Sequence, residues 1–320
     1  MSQIVIGIGS SHGPSIQNPA EVWAKFGEKD KRDHRFDYHA LLASAPTGIE
    51  REITLPIQQE RHAAAHVALK EAASKLAAAA PDVILIVSNV HTVRPSVPRP
   101  VFTIVRASEF PVLETLGRTF ESAPGGLTGD IDFAEPMSSK KGHPELADEL
   151  VSGLIKEHFD VACIDQLPAE HALDESFGFC YKWLMESQDI PVVPFIVSRD
   201  LPNQPSPARV IDIGRAVPKV IDRSTLPLEI GIIASGGLSH QVVDEDLDRS
   251  VLRGLQRGDF DSLANIPLAT MNRAPGTPEI LNWLLVGSCM RPNNMTLIDY
   301  QPCYRSSAGT GHGVAFGYWK

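Results

Sequence analysis

The 320-residue sequence predicts an α/β fold: a central, mostly buried sheet flanked by helices, with the active site at the carboxyl ends of the strands. Two observations carry that prediction. Short runs rich in β-branched residues recur, each bounded by polar or turn residues, and between them lie longer stretches in which apolar residues return at helical spacing. Runs so short and so largely apolar suit strands buried on both faces, and strand alternating with helix is the pattern of a sheet covered by helices. The composition agrees, because 43% hydrophobic and 21% charged residues can fill a large core.

In chain order the expected elements are a strand at Ile4 to Ile8, a helix at Glu60 to Ala79, strands at Val83 to Val87 and Val101 to Val105, and a helix at Pro144 to Glu157. A strand at Val161 to Ile164 follows, then a helix at Glu175 to Glu186, a strand at Val192 to Val197 and a helix at Ala208 to Ile221. The series closes with a strand at Ile230 to Ala234 and helices at Leu247 to Gln256 and Pro278 to Val286. Pro194 has no N–H to give a ladder, so the strand that contains it is expected at a sheet edge. Segments 94–100 and 199–208, rich in Pro and polar residues, read as loops. Residues 18–60 break the rhythm with charged and aromatic side chains, and the insertion they begin, at about 18–75, reads as a helical arm or lid; an ordinary solvated surface helix is the other reading. One domain spanning 1–320 with that insertion is expected.

With 29 Lys+Arg against 39 Asp+Glu the net charge is −10, which argues against nucleic acid or an anionic membrane as a partner, since both reward clustered positive charge. No apolar run approaches the roughly 18 residues of a membrane span. The N-terminal MSQIVIGIGSSHGPS lacks a basic region followed by a cleavable apolar stretch, so a cytoplasmic setting is expected. Cys163, Cys180, Cys289 and Cys303 form no CxxC pair and read as reduced, mostly buried thiols.

Ligands of open α/β sheets bind at the carboxyl ends of the strands, so the side chains just after the strands matter most. Histidine follows three of them: IVIGIGSSH ends at His12, DVILIVSNVH at His91 and EIGIIASGGLSH at His240. Any one of these reads as a hydrogen-bonded structural histidine; three at similar offsets weaken that reading considerably. Two neutral imidazoles plus a carboxylate on one face of a divalent ion is the arrangement of non-heme Fe(II) oxygenases, with positions left open for substrate and O2. Residue types leave the carboxylate open among Asp244, Glu245, Asp246, Asp248 and Glu279, and an acidic residue opening a helix, as Glu279 does, reads as dipole compensation. The His62 and His66 pair has helical spacing but lacks the glutamate of HExxH, and GIGSSHG lacks the third glycine of a dinucleotide loop. AGTGHG at 308–313, without a lysine for phosphate, reads as a turn near the site.

SSHGPS, PDVILIVSNVH, KGHPELA, DQLPAEHALDES, ASGGLSHQ and GTPEILNWLL follow one another in the order and approximate spacing of the class III extradiol ring-cleaving dioxygenases. The sequence thus resembles the LigB-like family of the protocatechuate 4,5-dioxygenase catalytic subunit, from residue 2 to the AGTGHGVAFGYW tail and least over 18–75. The resemblance implies that His12, His91 and Glu279 hold Fe(II), with Mn(II) the alternative ion, Glu279 being selected by the G-x-x-E-x-x-x-W-L pattern of Gly276, Glu279, Trp283 and Leu284. It implies that His240 is the catalytic base and that His171 is a further active-site histidine. The glycines Gly236 and Gly237 before His240 read as close backbone approach to a ligand or as a tight turn. Where the protocatechuate enzymes have P-A-S-N against the substrate carboxylate, this chain has Ser307, Ala308, Gly309 and Thr310, which puts recognition of a ring carboxylate in doubt; Gly309, Thr310 and Ser239 are the candidate substrate contacts. The implied reaction is extradiol opening of a catecholic, protocatechuate- or gallate-like ring by O2. A non-catalytic binding protein of the same fold and a Zn-dependent hydrolase are the alternatives. A homo-oligomer that needs no separate small subunit is expected.

Overall fold

A computed structural model of the chain describes residues 2–91, 100–113, 137–167, 172–186 and 188–320. Its strands are β1 (Gln3–Ser10), β2 (Val83–Ser88), β3 (Phe102–Val105), β4 (Glu109–Leu113), β5 (Met137–Lys141), β6 (Ala162–Ile164), β7 (Val192–Val197), β8 (Glu229–Ser235), β9 (His240–Val242), β10 (Thr296–Tyr304) and β11 (Thr310–Trp319). Among the described residues, nine of them form one mixed sheet in the order β10-β11-β1-β8-β2-β7-β3-β6, with β9 paired to β11, while β4 and β5 form a hairpin of their own. The middle four, β1, β8, β2 and β7, run parallel, so their carboxyl ends share one edge.

Burial on both faces follows from the unbroken apolar runs. In β2, Val83, Leu85 and Val87 enter one core while Ile84 and Ile86 enter the other, as the period of two in a strand requires. The first core is covered by the helices Pro144–Lys156, Pro207–Asp222, Glu245–Arg257 and Ile280–Cys289. The second is covered by Leu55–Ala79 and by the short helical segments from Glu175 to Leu184. In Leu55–Ala79 the buried Ala65, Ala68, Leu69, Ala72, Ala73 and Leu76 fall on one stripe, and its small side chains let the helix lie close to the sheet. Of the 18–75 stretch, therefore, the last helix belongs to the sheet-covering layer. Of the preceding helices, Trp23–Asp30 and Tyr38–Ala43, the first buries Trp23 in the second core and is tied down by a buried two-point ion pair, Arg305 donating from Nε and Nη2 to Asp30 at 2.7 Å each.

Two expectations need correction. The strand containing Pro194 is interior, paired with β2 on one side and β3 on the other. Yet β3 pairs only with Phe195, Ile196 and Val197, so the missing N–H of Pro194 breaks no ladder on that side. The AGTGHG segment is a turn only at its start, where Gly309 has φ 72°; from Thr310 it is strand β11. No helix among the described residues is long and apolar enough to cross a membrane.

One local cost is testable. The Leu55–Ala79 helix ends on exposed Ala80 in the left-handed region at φ 47°, where a side chain is unfavourable by about 1–2 kcal/mol. Ala80→Gly is expected to stabilise the fold by up to about 1 kcal/mol once the greater freedom of the unfolded glycine is subtracted, read as a higher urea midpoint at unchanged m-value.

Candidate metal centre

The shared edge of the parallel strands delivers one polar group per strand: His12 after β1, the turn from Ser235 to His240 after β8, His91 after β2 and Arg199 after β7. Glu279 comes from outside the sheet, at the end of the Thr277–Glu279 turn that leads into the Ile280–Cys289 helix. Its position is fixed from several sides. Gly276 N–H donates to the His240 carbonyl at 3.1 Å, and His240 N–H donates to Thr277 Oγ1 at 3.2 Å. One turn on, Asn282 Nδ2 donates to Asn89 Oδ1 at 2.7 Å and to the Ser235 carbonyl at 2.8 Å, while Trp283 Nε1 donates to the Gly236 carbonyl at 2.9 Å. The spacing of Gly276, Glu279 and Trp283 is thus the spacing of one helix start clamped across the ends of β2 and β8.

The side chains converge. His91 Nε2 lies 3.0 Å from Glu279 Oε1, and His12 Nε2 lies 3.7 Å from Glu279 Oε2. Ligand atoms of His12, His91 and Glu279 all fall within 4.8 Å of one another, and His240 stands outside that set with Nδ1 3.6 Å from Glu279 Oε2. The outer nitrogens of both histidines are held. Ser235 Oγ donates to the Ser176 carbonyl at 2.6 Å, so it accepts from His12 Nδ1 at 3.0 Å, which assigns the lone pair of that ring to Nε2. His91 Nδ1 donates to Glu175 Oε1 at 3.0 Å, and Asp174 accepts the His91 backbone N–H together with Ser176 Oγ at 2.6 Å. A carboxylate or hydroxyl behind each imidazole is how metal-binding histidines are oriented.

Electrostatics agree with that arrangement. Burial alone would push the Glu279 carboxyl up, but His240, His12 and the hydrogen bond from His91 outweigh it and hold the group well below the usual carboxylate range. Burial lowers His12, and it takes His240 down to about 4, so both are neutral imidazoles at pH 7. In His91, burial and the Arg199 charge pull downward, while Asp174, Glu175 and Glu279 pull harder upward, to about 10. His91 therefore carries a proton that a metal ion would displace on binding.

The donor set fits a divalent ion. His12 Nε2 and His240 Nδ1 are buried with no hydrogen-bond partner among the described residues, and a buried unpaired nitrogen is costly unless something else occupies its lone pair. Two imidazoles and one carboxylate, each already oriented from behind, suit Fe(II), Mn(II) or Zn(II). A second cluster of His91, Asp174 and Glu175 is spent on holding His91.

Of the other expected site residues, His171 lies outside the described residues. Ser239 Oγ donates to Asp248 Oδ2 at 2.7 Å and accepts from the Asp244 N–H at 2.8 Å, which engages it behind the turn. Thr310 Oγ1 shares a 2.6 Å hydrogen bond with Ser306 Oγ, and Gly309 occupies the adjacent turn. Gly236 and Gly237 face the glutamate: a Cβ on Gly236 would lie 2.9 Å from Glu279 Cβ, and Gly237 N–H donates to Glu279 Oε2 at 2.8 Å. The sequence reading missed Arg199, whose Nη1 is 3.0 Å from Glu279 Oε1, and Glu175, hidden as a helix-opening acid. It also missed His312, opposite His240 in the β9–β11 ladder with ring centroids 4.8 Å apart, its Nδ1 2.7 Å from Ser15 Oγ.

Gly276 lies directly under the His240 ring: a Cβ there would sit 2.2 Å from His240 Cδ2. Gly276→Ala is therefore expected to displace the ring, lowering kcat by at least about tenfold while metal content is kept, since misplacement by about 1 Å costs up to about a hundredfold. Steady-state rates beside metal analysis check this.

Comparison with known proteins adds three findings. Residues 44–297 match the family described as the catalytic LigB subunit of aromatic ring-opening dioxygenase; His91, Arg199, His240 and Glu279 fall inside that span and His12 outside it. A 2,3-dihydroxyphenylpropionate/2,3-dihydroxicinnamic acid 1,2-dioxygenase of Comamonas testosteroni is 32% identical over 111 residues, 34% of this chain, and the chain spans about a third (33%) of that relative's length. The crystal structure of an uncharacterized protein, JW3007, from Escherichia coli K12 covers 98% of this chain and 99% of its own at 15% identity, with a TM-score of 0.48, a distant likeness.

Proposed function

Because the chain belongs to the family of the catalytic LigB subunit of aromatic ring-opening dioxygenase, we propose that it is an Fe(II)-dependent extradiol dioxygenase acting on a catecholic, protocatechuate- or gallate-like compound. The observation that carries this reading is the convergence of two neutral-capable imidazoles and one carboxylate on one face, with a separate buried histidine beside them. When bound, Fe(II), or Mn(II) in its place, supplies Lewis acidity and a redox centre where catechol and O2 meet. Everything else is done by side chains. Ser235 and Glu175 keep Nε2 of His12 and His91 aimed at the Glu279 carboxylate. His240, neutral at pH 7 with an unengaged Nδ1, accepts a proton from a catechol hydroxyl and returns it later in the cycle. Phe179, its ring 6.3 Å from that of His12, lines the cluster with an apolar surface that excludes water.

We further propose that the protein works without a separate small subunit, as a homo-oligomer in the cytoplasm. The test is dioxygen uptake by anaerobically prepared, metal-analysed protein on a panel of catechols. One O2 is expected per substrate, with the ring opened beside the two hydroxyls. A product with an intact ring, or one cleaved between the hydroxyls, overturns the reading, and activity with zinc but without O2 makes the protein a hydrolase.

A further inference from the structure

Arg199 is the cation of this site that the ring-opening reading leaves without a task, and the inference drawn from it rests on that reading. It leaves the carboxyl end of β7, on the far side of His91 from His12, and its side chain is largely buried at 15% exposure. Its charge reaches both His91 and His240. The contact with Glu279 is a single one: Nη1 meets Oε1 at 3.0 Å, an oxygen that His91 Nε2 already approaches at the same distance. Arg199 Nε is buried and has no acceptor among the described residues.

The same chain shows what a purely structural arginine pair looks like. Arg305 grips Asp30 with Nε and Nη2, one to each carboxylate oxygen, both at 2.7 Å, and both side chains are buried. Such parallel two-point contact is the geometry a guanidinium and a carboxylate favour. Arg199 has half of it, and the free half of the fork is a buried donor beside the metal-ligand cluster.

We propose that Arg199 is the anion receptor of this site: the catechol that this chain opens carries a carboxylate, which accepts from the Arg199 fork while the hydroxyls lie toward His12, His91 and Glu279. The order of the strand ends sets the direction, with the hydroxyl-binding groups on β1 and β2 and the anion-binding group on β7. Arg199 is then the specificity-determining residue that selects the carboxylated catechols of that class over uncharged ones.

The test is anaerobic calorimetric titration of the iron-loaded protein with 2,3- and 3,4-dihydroxybenzoate, each against its uncharged amide, for wild type, Arg199→Gln and Arg199→Lys, with iron measured in every sample. Wild type is expected to bind at least one acid about tenfold or more tighter than its amide, in line with a charge-assisted pair. Arg199→Gln is expected to keep its iron and bring that ratio close to one, chiefly by weakening the acid; Arg199→Lys, which keeps the charge but not the fork, falls between. The inference is overturned by a wild type without preference, by a preference that survives Arg199→Gln, or by acid and amide weakening together in Arg199→Gln, which would make Arg199 a counter-ion of Glu279. Dioxygen uptake on the same compounds separates the two readings. An Arg199-dependent preference without uptake sinks the dioxygenase and leaves the anion receptor; uptake without the preference does the reverse. If wild type binds neither acid nor amide, the anion receptor falls, and dioxygen uptake on the catechol panel decides the dioxygenase reading by itself.

Discussion

Glu279→Ala is expected to leave folded protein that retains almost no divalent metal, whereas Glu245→Ala retains the wild-type content. The contrast rests on what each carboxylate touches. Glu279 is fully buried among His12, His91, His240 and Arg199. Glu245 sits at the start of its helix, pairing with Arg249 at 2.8 Å and accepting from Tyr304 Oη at 3.0 Å. Asp248 is equally committed, accepting from Ser239 N–H and Oγ and from Tyr300 Oη. Losing a residue that merely orients a ligand costs about 10–100-fold in metal affinity, so losing the anionic ligand itself costs more, and Glu279→Ala also leaves Arg199 beside the cluster with no carboxylate. Metal analysis after anaerobic reconstitution, normalised to folded protein by circular dichroism, reads the result. Metal content that follows Glu245 instead would move the carboxylate ligand to the helix after β9.

The strands β1, β2, β3, β7 and β8 were legible because each is a run of apolar residues that a doubly covered strand can bury, as Val83 to Val87 shows by splitting between two cores, while β6, read from the same kind of run, is an edge strand with Cys163 exposed. The hairpin β4–β5 was not: MSSKK is polar, and its pairing with Glu109–Leu113 is set by position in the fold rather than by any apolar period. Strands β10 and β11 hide for another reason. TLIDYQPCY carries a proline and an aspartate, and TGHGVAFGYW three glycine or histidine positions in its first half, features that read as turn when the partner strand is unknown.

The candidate site divides the same way. His12, His91 and His240 could be picked out because each follows its strand at the edge where ligands bind. The role of Glu279 could not be read from residue types, since an acid in a first helical turn is ordinary; its meeting with His91 joins positions 188 apart in sequence, and only the family pattern pointed to it. Glu175 was concealed by the same ambiguity, and Arg199 by a proline-rich loop. In each case the informative contact is long-range, which no local period encodes.

His240→Phe separates a base from a ligand, and it is expected to keep stoichiometric iron and bind a catechol while turning over about a hundredfold to ten-thousandfold more slowly, the loss typical of removing a positioned acid–base group. Phenylalanine preserves the ring that packs on Gly276 and against His312, so the turn holding Glu279 stays in place through the His240 backbone bonds to Gly276 and Thr277. What disappears is Nδ1, buried and unpaired at 3.6 Å from Glu279 Oε2. By distance to that oxygen alone His240 resembles His12, whose Nε2 is at 3.7 Å; the difference is that His12 has its outer nitrogen fixed by Ser235 and closes with His91 and Glu279 into one group of atoms near enough together to hold an ion. His12→Phe is accordingly expected to lose the iron. Rates, iron content and anaerobic catechol binding measured on both variants distinguish the roles, and loss of iron from a folded His240→Phe protein would place His240 among the ligands and leave the proton transfer to another group, His312 being the nearest imidazole on the β11 side.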